Sequence, residues 1–269
     1  MYEEFYGLDK KCFSKTPDPS FLYRSKAHAE ALVRLQYAVE ERDIVLLTGD
    51  IGSGKTTLSR ALIDSLDRSY KPILIINPRL SPAQFLRTLA GRLGVDSPKH
   101  FKSDLIEQIN ARLYAMYEQD VCPVVIIDEA QLIPGRDTFE EIRLLTNYQL
   151  DHVNLMSLVL IGQTELKARL KHPAYEALRQ RIGMAFHLSP LGLEETGEYI
   201  RHRLKVGGRD ALLFLPEAVE ALYRHSKGVP RVINTIATGA LLNGLGAGAE
   251  SIDGAAVEDF VSDLDLAGI

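Results

Sequence analysis

The residues best able to do chemistry form one run, Gly49-Asp50-Ile51-Gly52-Ser53-Gly54-Lys55-Thr56, spaced as G-x-x-x-x-G-K-[ST]. Glycines at this spacing let successive backbone N–H groups turn toward one phosphate, and the N-terminus of the next helix adds its positive end. Lys55 is then expected to reach the β- and γ-phosphates of ATP, the Thr56 hydroxyl to ligate Mg²⁺, and Thr57 to close the binding stretch. The plain alternative is a Gly-rich turn that merely contains a lysine. The context favours the phosphate loop, because Ile44–Thr48 reads as a strand and a helix opens at Lys55.

Val124-Val125-Ile126-Ile127-Asp128-Glu129 places two carboxylates at the carboxyl tip of an apolar strand, the edge where ligands collect in open α/β sheets. Asp128 suits the outer shell of Mg²⁺, and Glu129 suits the task of orienting and polarising an attacking water. Leu158–Gly162 ends in Gln163, which either holds that water or contacts the γ-phosphate, or is a simple turn. Arg179 and Arg181 are two apart and cannot share a helix face, so one is free to point away from its own subunit. An arginine offered to a neighbour's γ-phosphate stabilises transition-state charge; Arg181 is the favoured finger and Arg179 the other candidate. In Gly228-Val229-Pro230-Arg231 the arginine opens a helix, where its charge opposes the dipole. It either senses the γ-phosphate or is an ordinary surface residue.

These groups need a scaffold, and the strands supply it. Ile44–Thr48, Ile73–Asn77, Val124–Ile127, Leu158–Gly162 and Met184–Leu188 are continuous apolar runs separated by helices, the mark of a parallel sheet covered on both faces. The fold class is a doubly wound α/β core. A helix from His28 to Glu40 presents Ala31, Leu32, Leu35 and Val39 on one face. Beyond Leu188 the pattern turns helical, over Glu194–Val206, Pro216–His225, Pro230–Leu245 and Asp253–Asp263. The expected organisation is an irregular lead-in at 1–27, where Thr16-Pro17-Asp18-Pro19-Ser20 is turn chemistry, a core at 28–190 and a helical lid at 191–269.

The net charge of −5 argues against a surface built wholly for nucleic acid but leaves room for a basic stripe. Lys167, Arg169 and Lys171 form one candidate set, and Arg201, Arg203 and Lys205 another. Either set is as readily a solvated helix face, and no aromatic residue interleaves to stack bases. The longest apolar run, Ile236–Ala249, is too short to span a membrane and is rich in Gly and Ala. The acidic N-terminus lacks a signal-peptide layout. Cys122 opens an apolar run, as a buried reduced thiol would, and the whole points to the cytoplasm.

Taken together these motifs resemble AAA+ ATPases of the general secretion pathway protein A (ExeA) family. Phe13-Ser14-Lys15-Thr16-Pro17-Asp18-Pro19, Phe21-Leu22-Tyr23-Arg24-Ser25 and His28 look like that family's entry motif, which the resemblance places near the adenine. Asn77-Pro78-Arg79-Leu80-Ser81, Asp128-Glu129-Ala130-Gln131, Leu144-Leu145-Thr146-Asn147 and the Gln163, Arg181 and Arg231 segments are also similar to family blocks. The resemblance implies a strand order 5-1-4-3-2, water activation by Glu129, sensors at Gln163 and Arg231, and a finger at Arg181. Secretion-pathway members continue into a membrane span and a peptidoglycan-binding domain, neither of which lies within these 269 residues. A stand-alone member or a shortened form is therefore expected.

Two functions remain in view. One is a homo-oligomeric ATPase switch, ring or filament, driving assembly of envelope machinery through a protein partner. The other, similar to the Mu B and TnsC ATPases, is a scaffold on double-stranded DNA that recruits a transposase; Arg179-Gln180-Arg181-Ile182 and the acidic Asp263-Leu264-Asp265-Leu266 fit it as well. A non-hydrolysing, ATP-gated module is the third reading, and it has no use for Glu129. In the mechanism expected, ATP closes the lid through Arg231, Arg181 completes the neighbour's site, and hydrolysis loosens the interface.

Overall fold

A computed structural model describes residues 1–14, 18–147, 149–150 and 153–266. The chain divides into two compact units: Met1–Ala29 with Asp50–Thr57 and Ser189–Ile269, and Glu30–Gly49 with Leu58–Leu188. The phosphate loop and the lead-in thus cluster with the C-terminal helices, and the division falls inside the helices Lys26–Glu40 and Lys55–Ser65.

The α/β unit holds five parallel strands, β1 (Ile44–Gly49), β2 (Tyr70–Ile75), β3 (Cys122–Ile127), β4 (Ser157–Gly162) and β5 (Ile182–Leu188). Their order is β2-β3-β4-β1-β5, which is the expected 5-1-4-3-2. Strands β1, β3 and β4 are buried at every position, because each has a neighbour on both edges and cover on both faces. The edge strands β2 and β5 are only partly buried. That explains why β2 lies earlier than Ile73–Asn77: Tyr70-Lys71-Pro72 reads as polar yet pairs with Cys122-Pro123-Val124. Asn77 sits at φ 56°, which ends any strand there.

Helices Pro82–Leu93, Lys102–Tyr117, Arg136–Leu145, Thr164–Leu170 and Glu176–Arg179 also belong to this unit, with the greater part of Lys26–Glu40 and Lys55–Ser65. Ser81 caps the first of them in a reciprocal capping box with Gln84. The core runs from Phe85, Leu86 and Leu89 through Ile109 and Leu113 to Val125, Ile127, Phe139 and Leu160. A small antiparallel pair, Gln149–Leu150 with Val153–Asn154, stands apart from the sheet. Cys122 is buried and free, and burial pushes its thiol up.

The other unit is helical: Tyr2–Phe5, Leu193–Val206, Pro216–Ser226, Pro230–Ala247 and Gly254–Leu266, with a 3₁₀ turn at Pro19–Phe21. The lead-in is far from a bare irregular entry. Tyr2, Tyr6, Leu8, Cys12, Phe13 and Phe21 are buried in one core with Tyr199, Phe214, Ile233 and Leu241. Lys15, Thr16 and Pro17 lie outside the described residues. The Gly/Ala run from Ile236 serves packing: a Cβ on Gly239 would come within 2.1 Å of the Phe260 ring, so the missing side chain is what admits that ring. Among the described residues no helix is long and apolar enough to cross a membrane.

A buried polar network ties the lead-in down. Arg203, 7% exposed, donates Nε–H to the Cys12 carbonyl and Nη1–H to the Tyr199 hydroxyl (2.8 Å), and its guanidinium covers the Phe21 ring at 4.7 Å. Tyr199 in turn donates to Asn234 Oδ1 (2.7 Å), whose amide reaches the Ser14 carbonyl (3.3 Å). Cys12 is itself a free thiol, pushed up to about 11 by burial.

Candidate nucleotide-binding site

In the helical unit, the loop after Gly49 turns back at once, with Ser53 N–H donating to the Asp50 carbonyl (3.2 Å). Gly52 and Gly54 carry φ of 81° and 101°, the region that favours glycine, and they bend the chain so that helix Lys55–Ser65 starts immediately. Lys55 is 7% exposed and donates Nζ–H to the Asp50 carbonyl at 2.8 Å, which holds the ammonium across its own loop. The Ser53 hydroxyl is buried and has no hydrogen-bond partner among the described residues. An anion seated on the loop would accept from it, so these residues fit a phosphate.

Two neighbours grip the loop within the same unit. His28, 5% exposed, places Nε2 3.2 Å from the Ser53 carbonyl and Nδ1 2.8 Å from Ser25 Oγ. A Cβ on Gly54 would lie 2.8 Å from His28 Nε2. Burial holds the imidazole below its usual range, opposed by the Ser53 carbonyl and by Glu195. At the other gripping point, Arg231 donates its N–H to the Gly52 carbonyl (3.3 Å), and a Cβ on Gly52 would strike Arg231 Cβ at 2.4 Å. The Arg231 side chain is otherwise exposed, as a residue reaching for a phosphate must be.

In the α/β unit, the ends of β3 and β4 lie side by side at the carboxyl edge of the sheet. Asp128 is buried, with its N–H on the Ile75 carbonyl (3.0 Å). Glu129 is next, in the left-handed region at φ 54°, a strained position for a non-glycine residue. Its carboxylate is held by two amides at the same oxygen, Oε2: Gln163 Nε2–H at 3.1 Å and Gln131 Nε2–H. Gln131 Oε1 closes the triangle by accepting from Gln163 N–H (3.0 Å). The structure therefore brings Glu129 and Gln163 together. Gln131, to which the sequence reading gives no role, orients both; its place in the Asp128–Gln131 block is the available signal.

Among the described residues no group of three or more His, Cys, Asp or Glu side chains could hold a metal by itself. The Asp128 carboxylate in this unit and the Thr56 hydroxyl in the helical one are hard oxygens. Donors of that kind, completed by substrate phosphates and water, suit Mg²⁺.

The arginines separate by environment. Arg181 is half-buried and tied to Thr146, through its carbonyl (3.1 Å) and hydroxyl (3.3 Å). Arg179 is exposed, with one long contact to the Lys171 carbonyl at 3.4 Å. Both suspected basic stripes lose their middle residue. Arg169 donates to the carbonyls of Ile133 and Gln131 and to the Tyr175 hydroxyl, between the Phe139 and Tyr175 rings. Arg203 is the buried hub described above. Long side chains with an apolar stem make such burial invisible in a charge pattern.

The family described as AAA domain matches residues 38–170. General secretion pathway protein A of Aeromonas hydrophila is 38% identical over 255 residues, which cover 94% of this chain and 46% of that protein. The chain therefore spans about half the length of that relative. Among solved structures, the ORC2 protein of Aeropyrum pernix in ADPNP–ADP complexes superposes with a TM-score of 0.70 at 18% identity, over 94% of this chain and 71% of that one. Drosophila ORC bound to DNA gives 0.73 at 16%, over 98% and 65% of the two chains. The RuvB Holliday junction branch migration motor of Thermotoga maritima gives 0.58 at 19%, over 89% and 69%. At these identities the structural likeness is one of fold. With the strand order, the phosphate loop and the acidic pair on one sequence, the chain has an AAA+ ATPase fold, matches the AAA domain family over residues 38–170, and resembles general secretion pathway protein A over 94% of its length.

Proposed function

We propose that this chain binds ATP with Mg²⁺ and hydrolyses it at sites completed by a neighbouring copy, as an assembly switch for secretion or related envelope machinery. The observation that carries hydrolysis is the fixed carboxylate of Glu129, with one oxygen taken by two amide donors at the carboxyl edge of the sheet. A pure binding module has no need for that arrangement.

In this reading Lys55 leaves the Asp50 carbonyl for the β- and γ-phosphates, and the Ser53 hydroxyl donates to the same anion. Thr56 would ligate Mg²⁺ and Asp128 would suit its outer shell; the ion would supply neutralisation of the phosphate charge. Glu129 orients a water and takes its proton as the water oxygen bonds to the γ-phosphorus and the bond to the β,γ-bridging oxygen breaks. Gln131 and Gln163 keep the carboxylate aimed. Arg231 reports the γ-phosphate to its helix. Arg179, the more exposed of the two, is the better candidate for the trans-acting finger, since Nη1 of the half-buried Arg181 is engaged at Thr146. The similarity to a secretion protein supports the pathway. The DNA-scaffold reading is weakened, because Arg169 and Arg203 are spent inside their own units.

The test is steady-state ATP turnover with mass measured in the same samples, with and without double-stranded DNA at two salt levels. Lys55→Ala should lose binding. Glu129→Gln should bind ATP, stop turnover and accumulate in a larger assembly; Arg179→Ala should bind but turn over at least a hundredfold more slowly, as loss of a finger does. Normal turnover by Glu129→Gln would overturn the assignment of the base. Salt-sensitive stimulation by DNA would favour the scaffold instead.

A further inference from the structure

We propose that His28 is a positioning residue for the phosphate loop, acting through the Ser53 carbonyl to set the peptide that leads into Gly54 and Lys55. This rests on the loop being the nucleotide site and extends it to a part of the chain some twenty residues upstream.

The hydrogen bonds fix the imidazole in one state. Ser25 Oγ accepts the His28 backbone N–H (3.2 Å), as the cap of helix Lys26–Glu40, which leaves its own proton for His28 Nδ1 at 2.8 Å. With Nδ1 accepting, the ring proton sits on Nε2 and donates to the Ser53 carbonyl at 3.2 Å. The carbonyl so held belongs to the peptide whose N–H is that of Gly54, and that N–H points opposite to it. A trapped carbonyl therefore means an aimed N–H. The fit is close, since any side chain at Gly54 would meet His28 Nε2 at 2.8 Å. His28 is thereby one half of a grip completed by the Arg231 N–H on the Gly52 carbonyl.

Two substitutions separate this role from space filling. In His28→Gln the side-chain amide N–H reaches about where Nε2 lies and restores the donor. In His28→Asn the amide ends near Nδ1 and cannot reach Ser53. Ser25→Ala removes the proton that fixes the tautomer. Loss of one buried hydrogen bond corresponds to roughly tenfold in affinity.

The experiment measures ATP affinity by calorimetry, with amide hydrogen exchange over residues 50–57 in nucleotide-free protein. His28→Ala and His28→Asn should weaken ATP about tenfold and speed exchange in the loop; His28→Gln should restore both; Ser25→Ala should fall between. Equal affinity for wild type and His28→Asn, or failure of His28→Gln to recover more than His28→Asn, would overturn the proposal. If wild type itself fails to bind ATP, the nucleotide reading fails instead, and exchange in the loop still decides whether His28 holds it. Should His28→Ala not fold, the Gln, Asn and Ser25 variants carry the test.

Discussion

Replacing Arg169 by alanine tests whether a cation suspected of touching DNA is a structural clamp. Its guanidinium makes one strong bond to the Ile133 carbonyl, a bond of 3.1 Å to the Tyr175 hydroxyl and a long one of 3.4 Å to the Gln131 carbonyl. It also lies 4.9 Å over Phe139 and 5.4 Å over Tyr175. Counting about 1.5 kcal/mol for the strong bond, about 1 for the second and roughly 0.5 for partly exposed ring stacking gives a loss near 3 kcal/mol. For a chain of this size that is a fall in Tm of roughly 6–12 °C. Arg169→Lys should recover little, because an ammonium has neither the fork nor the planar face. Lys167→Ala, at an exposed position, should change stability by less than about 0.5 kcal/mol. Scanning calorimetry of the three variants beside DNA titrations at low salt decides the matter. An Arg169→Ala protein that melts like wild type but loses affinity for DNA would refute the clamp and revive the basic stripe.

The same geometry has other consequences. Gln131→Ala strips one donor from Glu129 and the acceptor from Gln163 N–H, so kcat should drop about tenfold while ATP affinity holds, by turnover and calorimetry. Gly228→Ala places a Cβ 1.8 Å from the Leu191 carbonyl oxygen at φ 76°, against backbone that cannot swing aside, and should cost at least about 3 kcal/mol in a denaturant titration. Burial holds His28 and His202 below the ordinary histidine range, the latter with help from Arg203. Below about pH 6.5 the unfolded chain then binds more protons than the folded one, so stability falls as pH drops through that range. Urea midpoints between pH 7.5 and 5.5 should show the decline, less steeply in His28→Gln; a flat profile would contradict the burial.

What is legible in the sequence depends on which interactions have a local period. Strands β1, β3 and β4 are covered on both faces, so their residues are apolar without interruption and their ends are plain. The phosphate loop and the acidic pair are chemically improbable runs at strand tips, legible for that reason. Edge strand β2 reads as starting late because Tyr70, Lys71 and Pro72 pair on one side only. The lead-in reads as irregular because Tyr2, Tyr6, Phe13 and Phe21 enter a core without any repeat to announce it. Arg169, Arg203 and Gln131 carry contacts whose partners lie remote in sequence or show no pattern, and charge counting cannot see them. The Ser81–Gln84 capping box, by contrast, is visible as Ser-x-x-Gln and marks the start of its helix.

The buried hub at Arg203 also governs how pieces of this protein can be made. A gene cut at residue 38, where the AAA domain match begins, deletes the Cys12 carbonyl that Arg203 donates to and the Phe21 ring beneath it. A guanidinium left buried without those partners is a liability of several kcal/mol, and His28 goes with the same cut. Expression boundaries, proteolytic trimming and fusion joints should therefore respect the first residues as foundation stones of the helical unit. An affinity tag belongs on Met1, which stands 88% exposed, and not in place of the buried Tyr2 and Tyr6.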